Sequence, residues 1–427
     1  MPEMTETVAQ PARAAELVLA PFRGVRYSPA RVADLAKVTS PPYDVINEDE
    51  LGWLEAADPH NVVRLVLPRD EPGAPHGRYR HAARTLADWL RSGVLVVDAE
   101  PALYVYEQAR EGEVLLRGLI GALGLRDPAE RVVLPHEDVM PGPVADRLEL
   151  MRVAQANVEP ILLVHDGGSG AAADAVARAV LRAPVLATTT ADGLTHRVWP
   201  VSEATELAAV AADIADRQAL IADGHHRYAA YRELQAERHA PGDGPGPWDR
   251  GLALLVDLRA HPPGVAAIHR SVTGLSLAQA VDRAAPLFAA RPVEDADAAA
   301  RRLMPGRLLL VDGTGRAAEL RIADQGAVDA LLPSDRPAPW RALDTAVLHH
   351  ALAPRWAVPE SAFGYHHDLG AALRAAHRDG GLAVLLAPVA VEQVLALAAD
   401  GVRMPRKTTS FGPKPRTGLV LRTFAAG

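Results

Sequence analysis

The sequence predicts an α/β (α+β) fold built on a mixed sheet core. Short apolar runs typical of strands alternate with amphipathic stretches typical of helices along the chain. Glycine and proline turns separate these runs, and the sequence contains neither a coiled-coil heptad nor an internal repeat. With 427 residues, of which 49% are apolar, the chain is long enough for two domains or one large domain.

The N-terminal half contains elements of both kinds. Residues 1–20 contain no turn signal and no hydrophobic periodicity typical of a packed helix or strand, and they are expected to form a flexible tail. Helices are expected at residues 28–38, 47–53, 79–90, 146–154 and 171–182. Strands are expected at residues 62–67, 102–108, 115–125, 161–164 and 218–222. The second and third of these strands are predicted to pair as a hairpin across Glu111 and Gly112.

A segment rich in glycine and proline at residues 239–247 indicates a boundary between two parts of the chain. We therefore expect an N-terminal α/β domain over residues 21–240 and a second, C-terminal α/β domain over residues 250–427. In the second domain, strands are expected at residues 251–258 and 308–311, and helices at residues 277–289 and 371–378.

Charge and composition exclude several classes of function. The chain has 45 basic and 53 acidic residues, so its net charge of −8 disfavours general binding to DNA or RNA. The absence of cysteine excludes disulfides, thiol catalysis and thiolate metal sites. Apolar runs stop well short of the ~20 residues that span a membrane. We expect a cytoplasmic protein with no DNA or membrane partner.

The segment 220–231 has the pattern of an anion site, because an apolar strand leads through a glycine turn directly into a helix. Unpaired N–H groups at the helix start, the helix dipole and nearby cationic or polar side chains would converge on a phosphate. The residues predicted to bind it are Gly224, His225, His226 and Arg227. Asp223, at the end of the strand, is expected to hold a metal ion or to accept a proton, although it also fits a simple helix cap.

Lysine is rare in this chain and is concentrated near its C-terminus. Of the 45 basic residues only Lys37, Lys407 and Lys414 are lysines. A compact ammonium group differs chemically from a planar guanidinium group. The persistence of two lysines within eight residues predicts that at least one of Lys407 and Lys414 contacts a phosphate or nucleotide, unless the clustering is accidental.

Two further segments contain candidate catalytic and substrate-binding residues. In the polar loop 134–143, Glu137 is the candidate general base and His136 is a further candidate catalytic residue, although loop acids are often simply solvated. The pair Asp146 and Arg147 follows and is assigned to a substrate pocket, with an ion pair at a helix start as the alternative. Tyr43 and Asp44, at a corner stiffened by two prolines, are also assigned to that pocket; a packing role for the ring is the alternative.

Taken together, these motifs resemble a known protein family, domain of unknown function 1015 (DUF1015), over nearly the whole chain. The resemblance rests on the segments Ser40–Val45, Pro135–Glu137, Asp146–Leu148, Ala222–Tyr228, Ile268–Arg270 and Met404–Lys414. Within this family pattern, the box Asp223–Tyr228 is similar to the phosphate-binding box of the ParB and sulfiredoxin superfamily.

This second resemblance implies a ParB/sulfiredoxin-like element in the first domain and a function. The box residues would bind nucleotide phosphates, Asp223 would assist metal binding or proton transfer, and Glu137 would activate a hydroxyl group. Sulfiredoxin chemistry requires a cysteine that this chain lacks, and DNA partitioning would require a helix-turn-helix domain and a basic surface. What remains is a small-molecule kinase or phosphotransferase, using Mg²⁺ with ATP or ADP on a small hydroxylated metabolite such as serine or phosphoserine.

Two other classes of function stay open at this point. One is a ParB-like regulatory protein that binds or slowly hydrolyses nucleotides. The other is a metal-dependent hydrolase built on the paired histidines of the sequence, such as His349 and His350.

Overall fold

The computed structural model describes residues 15–70, 77–240, 242 and 244–426. Its strands are β1 (Leu19–Ala20), β2 (Val25–Tyr27), β3 (Leu95–Val97), β4 (Leu103–Arg110), β5 (Glu113–Gly124), β6 (Val133–Leu134), β7 (Ala156–Asn157), β8 (Ile161–His165), β9 (Leu186–Thr189), β10 (Leu194–Val201), β11 (Ala219–Asp223), β12 (Arg250–Asp257), β13 (Gly264–Ala267), β14 (His269–Val272), β15 (Phe288–Val293), β16 (Arg307–Asp312), β17 (Ala317–Ile322), β18 (Phe363–His366), β19 (Leu382–Leu385), β20 (Thr409–Gly412) and β21 (Arg422–Thr423).

Helices connect most of these strands. They are α1 (Leu35–Val38), α2 (Glu48–Ala57), α3 (Val63–Val66), α4 (Arg78–Arg91), α5 (Pro141–Ala154), α6 (Ala171–Ala179), α7 (Ala204–Ile214), α8 (His225–His239), α9 (Leu277–Ala284), α10 (Ala296–Arg301), α11 (Gln325–Asp329), α12 (Ala338–Arg341), α13 (Asp344–Val347), α14 (Ala353–Trp356), α15 (Leu369–Asp379) and α16 (Val391–Ala399). Within the described ranges, no helix has both the length and the apolar character needed to cross a bilayer.

The larger sheet is mixed, as predicted. Nine strands of the described chain form it, in the order β6-β11-β8-β12-β5-β4-β10-β9 with β1 beside β5. The pairs β6–β11 and β8–β12 are parallel, and the others are antiparallel. Helices α5 to α8 pack on one face of the sheet, while α12, α16 and the segment around Phe411 cover the other face. Because both faces are covered, the central strands β8, β11 and β12 are almost wholly apolar.

The smaller sheet is antiparallel throughout. Its six strands, among the described residues, follow the order β15-β17-β16-β19-β14-β18. One face packs against α9, α13 and α14 around the fully buried Trp356. The other face is covered by small residues of α15, including Ala372 and Ala376.

The C-terminal segment returns to the larger sheet and its surroundings. Strand β20 pairs with β13, and β21 pairs with β7. Leu421 forms an isolated bridge with Val25, and Thr417 forms one with Ser40. This segment therefore ties the beginning, middle and end of the chain together.

The domain boundary expected near residue 240 lies inside the larger sheet. The loop rich in glycine and proline connects α8 to β12, and β12 is a central strand between β8 and β5. A loop of this composition ends a helix as effectively as it links domains, so composition alone does not distinguish the two. The predicted tail is also shorter than expected, because Leu17 and Leu19 are buried. Its residues 1–14 lie outside the described residues.

Three local predictions differ from the structure. Residues 62–67, predicted as a strand, contain helix α3, which starts where Asn61 Oδ1 accepts a hydrogen bond from the Val63 N–H at 2.9 Å. The helix predicted over 28–38 begins at Leu35 because Asp34 caps it. The helix predicted over 277–289 ends at Ala284, since a proline follows shortly and the next residues form β15.

Candidate active site

Eleven of the predicted site residues, from four parts of the chain, line one pocket. These parts are the turn between β11 and α8, the loop after β6, the corner at Tyr43 and Asp44, and the C-terminal segment around β20. The predicted residues in its lining are Tyr43, Asp44, His136, Glu137, Asp223, Gly224, His225, His226, Arg227, Lys407 and Lys414. The pocket has a cavity volume of about 40 Å³, which matches a phosphate-sized group better than a whole nucleotide.

The turn between β11 and α8 requires a glycine. Gly224 has a φ of +95°, and a Cβ atom there would lie 2.8 Å from Ile161 Cγ2. This tight turn places the first N–H groups of the 15-residue helix α8 at the pocket. Gly224 itself makes no side-chain cap, so the turn keeps the geometry of an anion site.

Arg227 supports the turn from within the protein. Its Nη1 donates to the Pro160 carbonyl at 2.6 Å, and its Nη2 donates to Asp223 Oδ2 at 2.5 Å. The residue is 4% exposed. The guanidinium is therefore already engaged, and its geometry indicates that it positions Asp223 more than it grips a ligand, in contrast to the phosphate role expected from the sequence.

Lys414 lies between two carboxylates. Its Nζ is 2.6 Å from Asp223 Oδ1 and 2.7 Å from Asp44 Oδ2. Burial alone would raise the pKa of Asp223, but Lys414 and Arg227 outweigh it and hold that pKa well below its usual range. The same two carboxylates overcome the effect of burial on Lys414 and raise its pKa. Lys414 therefore stays charged at the pocket wall.

Glu137 is the pocket acid whose pKa is raised. Burial raises the pKa of Glu137 to about 7, although Lys407 opposes this effect through its charge and its backbone N–H. That N–H donates to Glu137 Oε2 at 3.2 Å. The left-handed backbone of Lys407, with φ +57°, directs the N–H toward the carboxyl group. Glu137 therefore exchanges a proton near neutral pH, as a general base must.

His136 and His225 form a buried pair beside Glu137. His136 donates from Nδ1 to the Ile221 carbonyl at 2.7 Å, and its Nε2 accepts from Thr409 Oγ1 at 2.9 Å. His225 Nε2 accepts the His136 N–H at 3.2 Å, so its Nδ1 carries the proton and lies 3.8 Å from Glu137 Oε1. Burial lowers the pKa of both rings, that of His136 to about 4. Both are positioned as supports, and neither is placed as a charged phosphate ligand.

His226 differs from its neighbour. Its Nε2 accepts the Met140 N–H at 3.0 Å, which leaves the proton of the neutral ring on Nδ1. Burial, followed by the charge of Lys407, lowers the pKa of His226. A neutral imidazole with a fixed tautomer is a suitable hydrogen-bond donor to an anion.

Asp146 and Arg147 do not line the pocket. Asp146 Oδ1 accepts from Tyr79 Oη at 2.6 Å, and Asp146 also pairs with Arg147. The guanidinium of Arg147 lies 4.2 Å from the centre of the Tyr43 ring. Tyr43 is thus packed against Arg147, and its backbone N–H donates to the buried Glu159 at 2.9 Å. Asp146 and Arg147 therefore form an ion pair inside α5, and not at the helix start, which lies at Pro141.

Sequence reasoning missed His367, Thr409 and Ser410. All three line the pocket, and His367 Nδ1 lies 2.9 Å from Ser410 Oγ. A signal for two of them was available, because Thr409 and Ser410 lie between the two C-terminal lysines. His367 comes from the smaller sheet's side of the molecule, and only the tertiary structure brings it to the pocket.

The residues near the pocket do not form a protein-held metal site. In the part of the chain that the structure describes, no group of three His, Asp or Glu side chains is arranged to hold a metal ion. Both oxygens of Asp223, the predicted metal ligand, accept hydrogen bonds from cationic side chains at 2.5–2.6 Å. A metal ion at Asp223 would have to displace the Lys414 ammonium, so this carboxylate does not fit the ligand role.

Comparison with solved structures finds proteins of low sequence identity. A free serine kinase mutant in complex with ADP is 14% identical, with a TM-score of 0.36, over 69% of this chain and 91% of that chain. A conserved hypothetical protein from Pyrococcus furiosus is 14% identical, with a TM-score of 0.36, over 69% and 92% of the two chains. SbnI with a C-terminal truncation, from Staphylococcus aureus, is 9% identical, with a TM-score of 0.38, over 72% and 88%.

A search of curated proteins finds no match. The family model described as "Protein of unknown function (DUF1015)" matches residues 19–346. That range includes the Tyr43 corner, the Glu137 loop and the turn between β11 and α8. The chain belongs to the DUF1015 family.

Proposed function

We propose that the protein is a nucleotide-dependent phosphotransferase that acts on a small hydroxylated metabolite. The observation that carries this proposal is the position of Glu137. Its carboxyl group, with a pKa of about 7, faces the same pocket as the N-terminus of α8 and two lysines. A base, an anion site and fixed positive charge are the three requirements of in-line phosphoryl transfer.

The phosphate would bind among the N–H groups at the start of α8, His226, Lys407 and Lys414. Both lysine side chains line the pocket, and Lys414 is held by Asp44 and Asp223. Because the cavity is about 40 Å³, a phosphate group enters it while the sugar and base of a nucleotide lie outside. The resemblance of the Asp223–Tyr228 box to ParB and sulfiredoxin proteins supports the same placement.

Glu137 would act on the acceptor. Its carboxylate takes the proton of the acceptor hydroxyl as that oxygen forms a bond to phosphorus. The bond between phosphorus and the bridging oxygen of the nucleotide breaks, and the electron pair stays on the departing nucleotide. Lys407 and Lys414 neutralise negative charge during this exchange. The reverse reaction uses the same groups, with Glu137 returning the proton.

Mg²⁺ would enter with the nucleotide. When bound, Mg²⁺ neutralises phosphate oxygens. Since Asp223 is paired with Lys414 and Arg227, we assign it no metal-binding role and regard it as the residue that positions the Lys414 ammonium.

Free serine is the first acceptor to test, because the box resembles that of free-serine kinases. The experiment uses phosphorus NMR to follow the reaction of the full chain with Mg²⁺, ATP or ADP, and L-serine. A separate reaction contains phosphoserine in place of L-serine. The variants are Glu137→Gln and, as a matched control, Asp138→Asn, whose wild-type side chain is exposed and pairs with Arg403 at 3.0 Å. We expect a new phosphate ester with wild type and control, and no ester with Glu137→Gln despite retained nucleotide binding.

Each other outcome contradicts part of the proposal. If the Glu137→Gln variant still forms the phosphate ester, Glu137 is not the general base. Nucleotide hydrolysis without ester formation would favour a regulatory nucleotide-binding protein. A third outcome is that the protein binds no nucleotide but hydrolyses an added phosphate compound only when zinc or iron is present. This outcome would favour a metal-dependent hydrolase and overturn the proposal.

A further inference from the structure

A second cavity lies at the opposite end of the strands of the larger sheet from the candidate active site. Strand β8 begins at Ile161, beside Gly224, and ends at His165, which lines this cavity. The neighbouring parallel strand β12 ends at the same edge with Asp257. The cavity has a volume of about 200 Å³. The carboxyl ends of parallel strands are a common location for ligand sites in α/β proteins.

Most of the lining is apolar. Leu119 and Leu255 contribute from the sheet, and Ala173 and Val176 contribute from helix α6. An engineered apolar cavity of about 150 Å³ is known to bind benzene. A cavity of about 200 Å³ therefore has room for a six-membered ring with a small substituent.

The charged groups around the cavity are already satisfied by the protein. The Gly168 N–H donates to Asp257 Oδ2 at 2.8 Å, and the Ala172 N–H donates to Asp213 Oδ2 at 2.9 Å. Arg217 pairs with Asp213 at 2.8 Å. Arg117, which also lines the cavity, pairs with Glu107, so the charges beside the cavity are balanced by protein groups. The site is suited to a neutral ligand.

His165 contributes a buried polar group to the lining of the cavity. The residue is 6% exposed, and its Nδ1 has no hydrogen-bond partner among the described residues. Burial lowers the pKa of His165, so the ring is neutral at pH 7. Buried polar groups in proteins nearly always have partners, and a neutral imidazole offers one donor and one acceptor.

We propose that this cavity is a binding site for a small, neutral, mainly apolar molecule with one hydroxyl or carbonyl group, which hydrogen-bonds to the imidazole of His165. The apolar part of the ligand packs between the sheet and α6. The site is separate from the proposed phosphotransferase pocket and does not depend on that function.

The test uses two probes that differ by one hydroxyl group. Phenol and benzene are titrated into the full-length chain, and binding is followed by NMR of the imidazole nitrogens and of the alanine methyl groups. Wild type is expected to bind phenol about tenfold more tightly than benzene, since phenol alone can hydrogen-bond to His165. In His165→Phe this preference is expected to disappear, because the ring shape remains but the nitrogens do not.

A filled cavity provides the second comparison. Ala173→Leu places a larger side chain into the cavity from α6 and is expected to abolish binding of both probes. Ala208→Leu, on the exposed face of α7, makes the same change outside the cavity and is expected to bind both normally. Thermal unfolding of each variant distinguishes a filled cavity from a misfolded chain.

Four results would overturn the proposal. The first is no saturable binding of phenol to the wild type. The second is phenol binding that Ala173→Leu leaves unchanged, which would place the probe elsewhere. The third is a phenol-to-benzene preference that persists in His165→Phe. The fourth is a crystal structure of phenol-soaked protein in which the cavity contains water alone.

Discussion

At the scale of single residues, Glu137 is a pocket acid whose pKa is raised toward neutral pH. Its carboxyl group is buried near His225, and its pKa is raised to about 7. A base with this pKa is half deprotonated at neutral pH, which suits proton abstraction from a hydroxyl group. The same rise in pKa lowers the free energy of unfolding near neutral pH.

We predict that phosphotransfer rises with pH and levels off above about pH 7. The carboxylate form of Glu137 accepts the proton, and its fraction increases through the pKa. The measurement is the pH dependence of kcat/KM for ester formation. A rate that is flat between pH 5 and 8 would contradict the assignment of Glu137 as the base.

Glu137→Gln is predicted to stabilise the protein in a pH-dependent way. Because the folded pKa of about 7 lies above the ordinary value of 4.5, the wild-type carboxyl group favours folding below pH 4.5, and this contribution is lost as pH rises to 7. The difference in pKa corresponds to about 3 kcal/mol. The free energy of unfolding of the variant should equal that of wild type at pH 4 and exceed it at pH 8. Equal stability at both pH values would show that the pKa is not raised.

Lys414→Arg is predicted to reduce activity at least tenfold despite the retained charge. The ammonium fits between Asp223 and Asp44 at 2.6 and 2.7 Å with 12% of the side chain exposed, so a planar guanidinium cannot occupy the same space. The matched control is Lys37→Arg, whose wild-type side chain is exposed. Steady-state kinetics of both variants test this, and wild-type rates for Lys414→Arg would mean that the lysine clustering is accidental.

The identities of the site residues were more predictable than their roles. Glu137 and the lysines stand out in the sequence because an acid between prolines and a lysine in an arginine-rich chain are local signals. The role of Arg227 depends on the Pro160 carbonyl, a partner 67 residues away. His225 likewise depends on the His136 N–H. No local pattern specifies such partners.

At the scale of elements, the turn between β11 and α8 determines the geometry of the pocket. Gly224 directs the chain from a buried strand into α8 within one residue, against the side chain of Ile161. Strand, turn and helix were all predictable here, because an apolar run, a glycine and a helical stretch follow one another. By contrast, α3 was predicted as a strand because a short apolar run fits both structures.

Gly224→Ala is predicted to destabilise the protein by about 2–3 kcal/mol and to weaken nucleotide binding. The positive φ strains an alanine, and the added methyl group meets Ile161. Gly142→Ala is the control, because its φ is ordinary and no atom lies within 4 Å of the added Cβ. Urea unfolding and nucleotide titration test both variants. Unchanged stability of Gly224→Ala would mean that the turn relaxes without strain.

At the scale of the whole molecule, the pocket exists because distant parts of the chain converge. His367 comes from beside the smaller sheet, Glu137 from a loop of the larger sheet, and Lys414 from the C-terminal segment. The α/β class was predictable from the alternation of elements. The return of the C-terminal segment was not, because long-range strand pairing such as β21 with β7 leaves no periodic signal.

Arg422→Met is predicted to destabilise the protein by about 2–4 kcal/mol. Arg422 is 1% exposed, and it donates to Asn157 Oδ1 at 3.0 Å and to the Pro247 carbonyl at 2.9 Å. Removing the guanidinium leaves these buried acceptors without a donor. The control is Arg374→Met, whose wild-type side chain is 75% exposed. Denaturant unfolding decides the prediction, and equal effects of the two substitutions would refute it.

The late position of Lys407 and Lys414 in the chain has a consequence for protein synthesis. Because chains are made from the N-terminus, a ribosome releases the turn at Gly224 about 190 residues before Lys414, and the Glu137 loop still earlier. Until then, the nascent chain holds Asp223 without its ammonium partner and lacks the backbone N–H that faces Glu137. A growing chain therefore completes this pocket only when the segment that carries both lysines folds back onto the larger sheet.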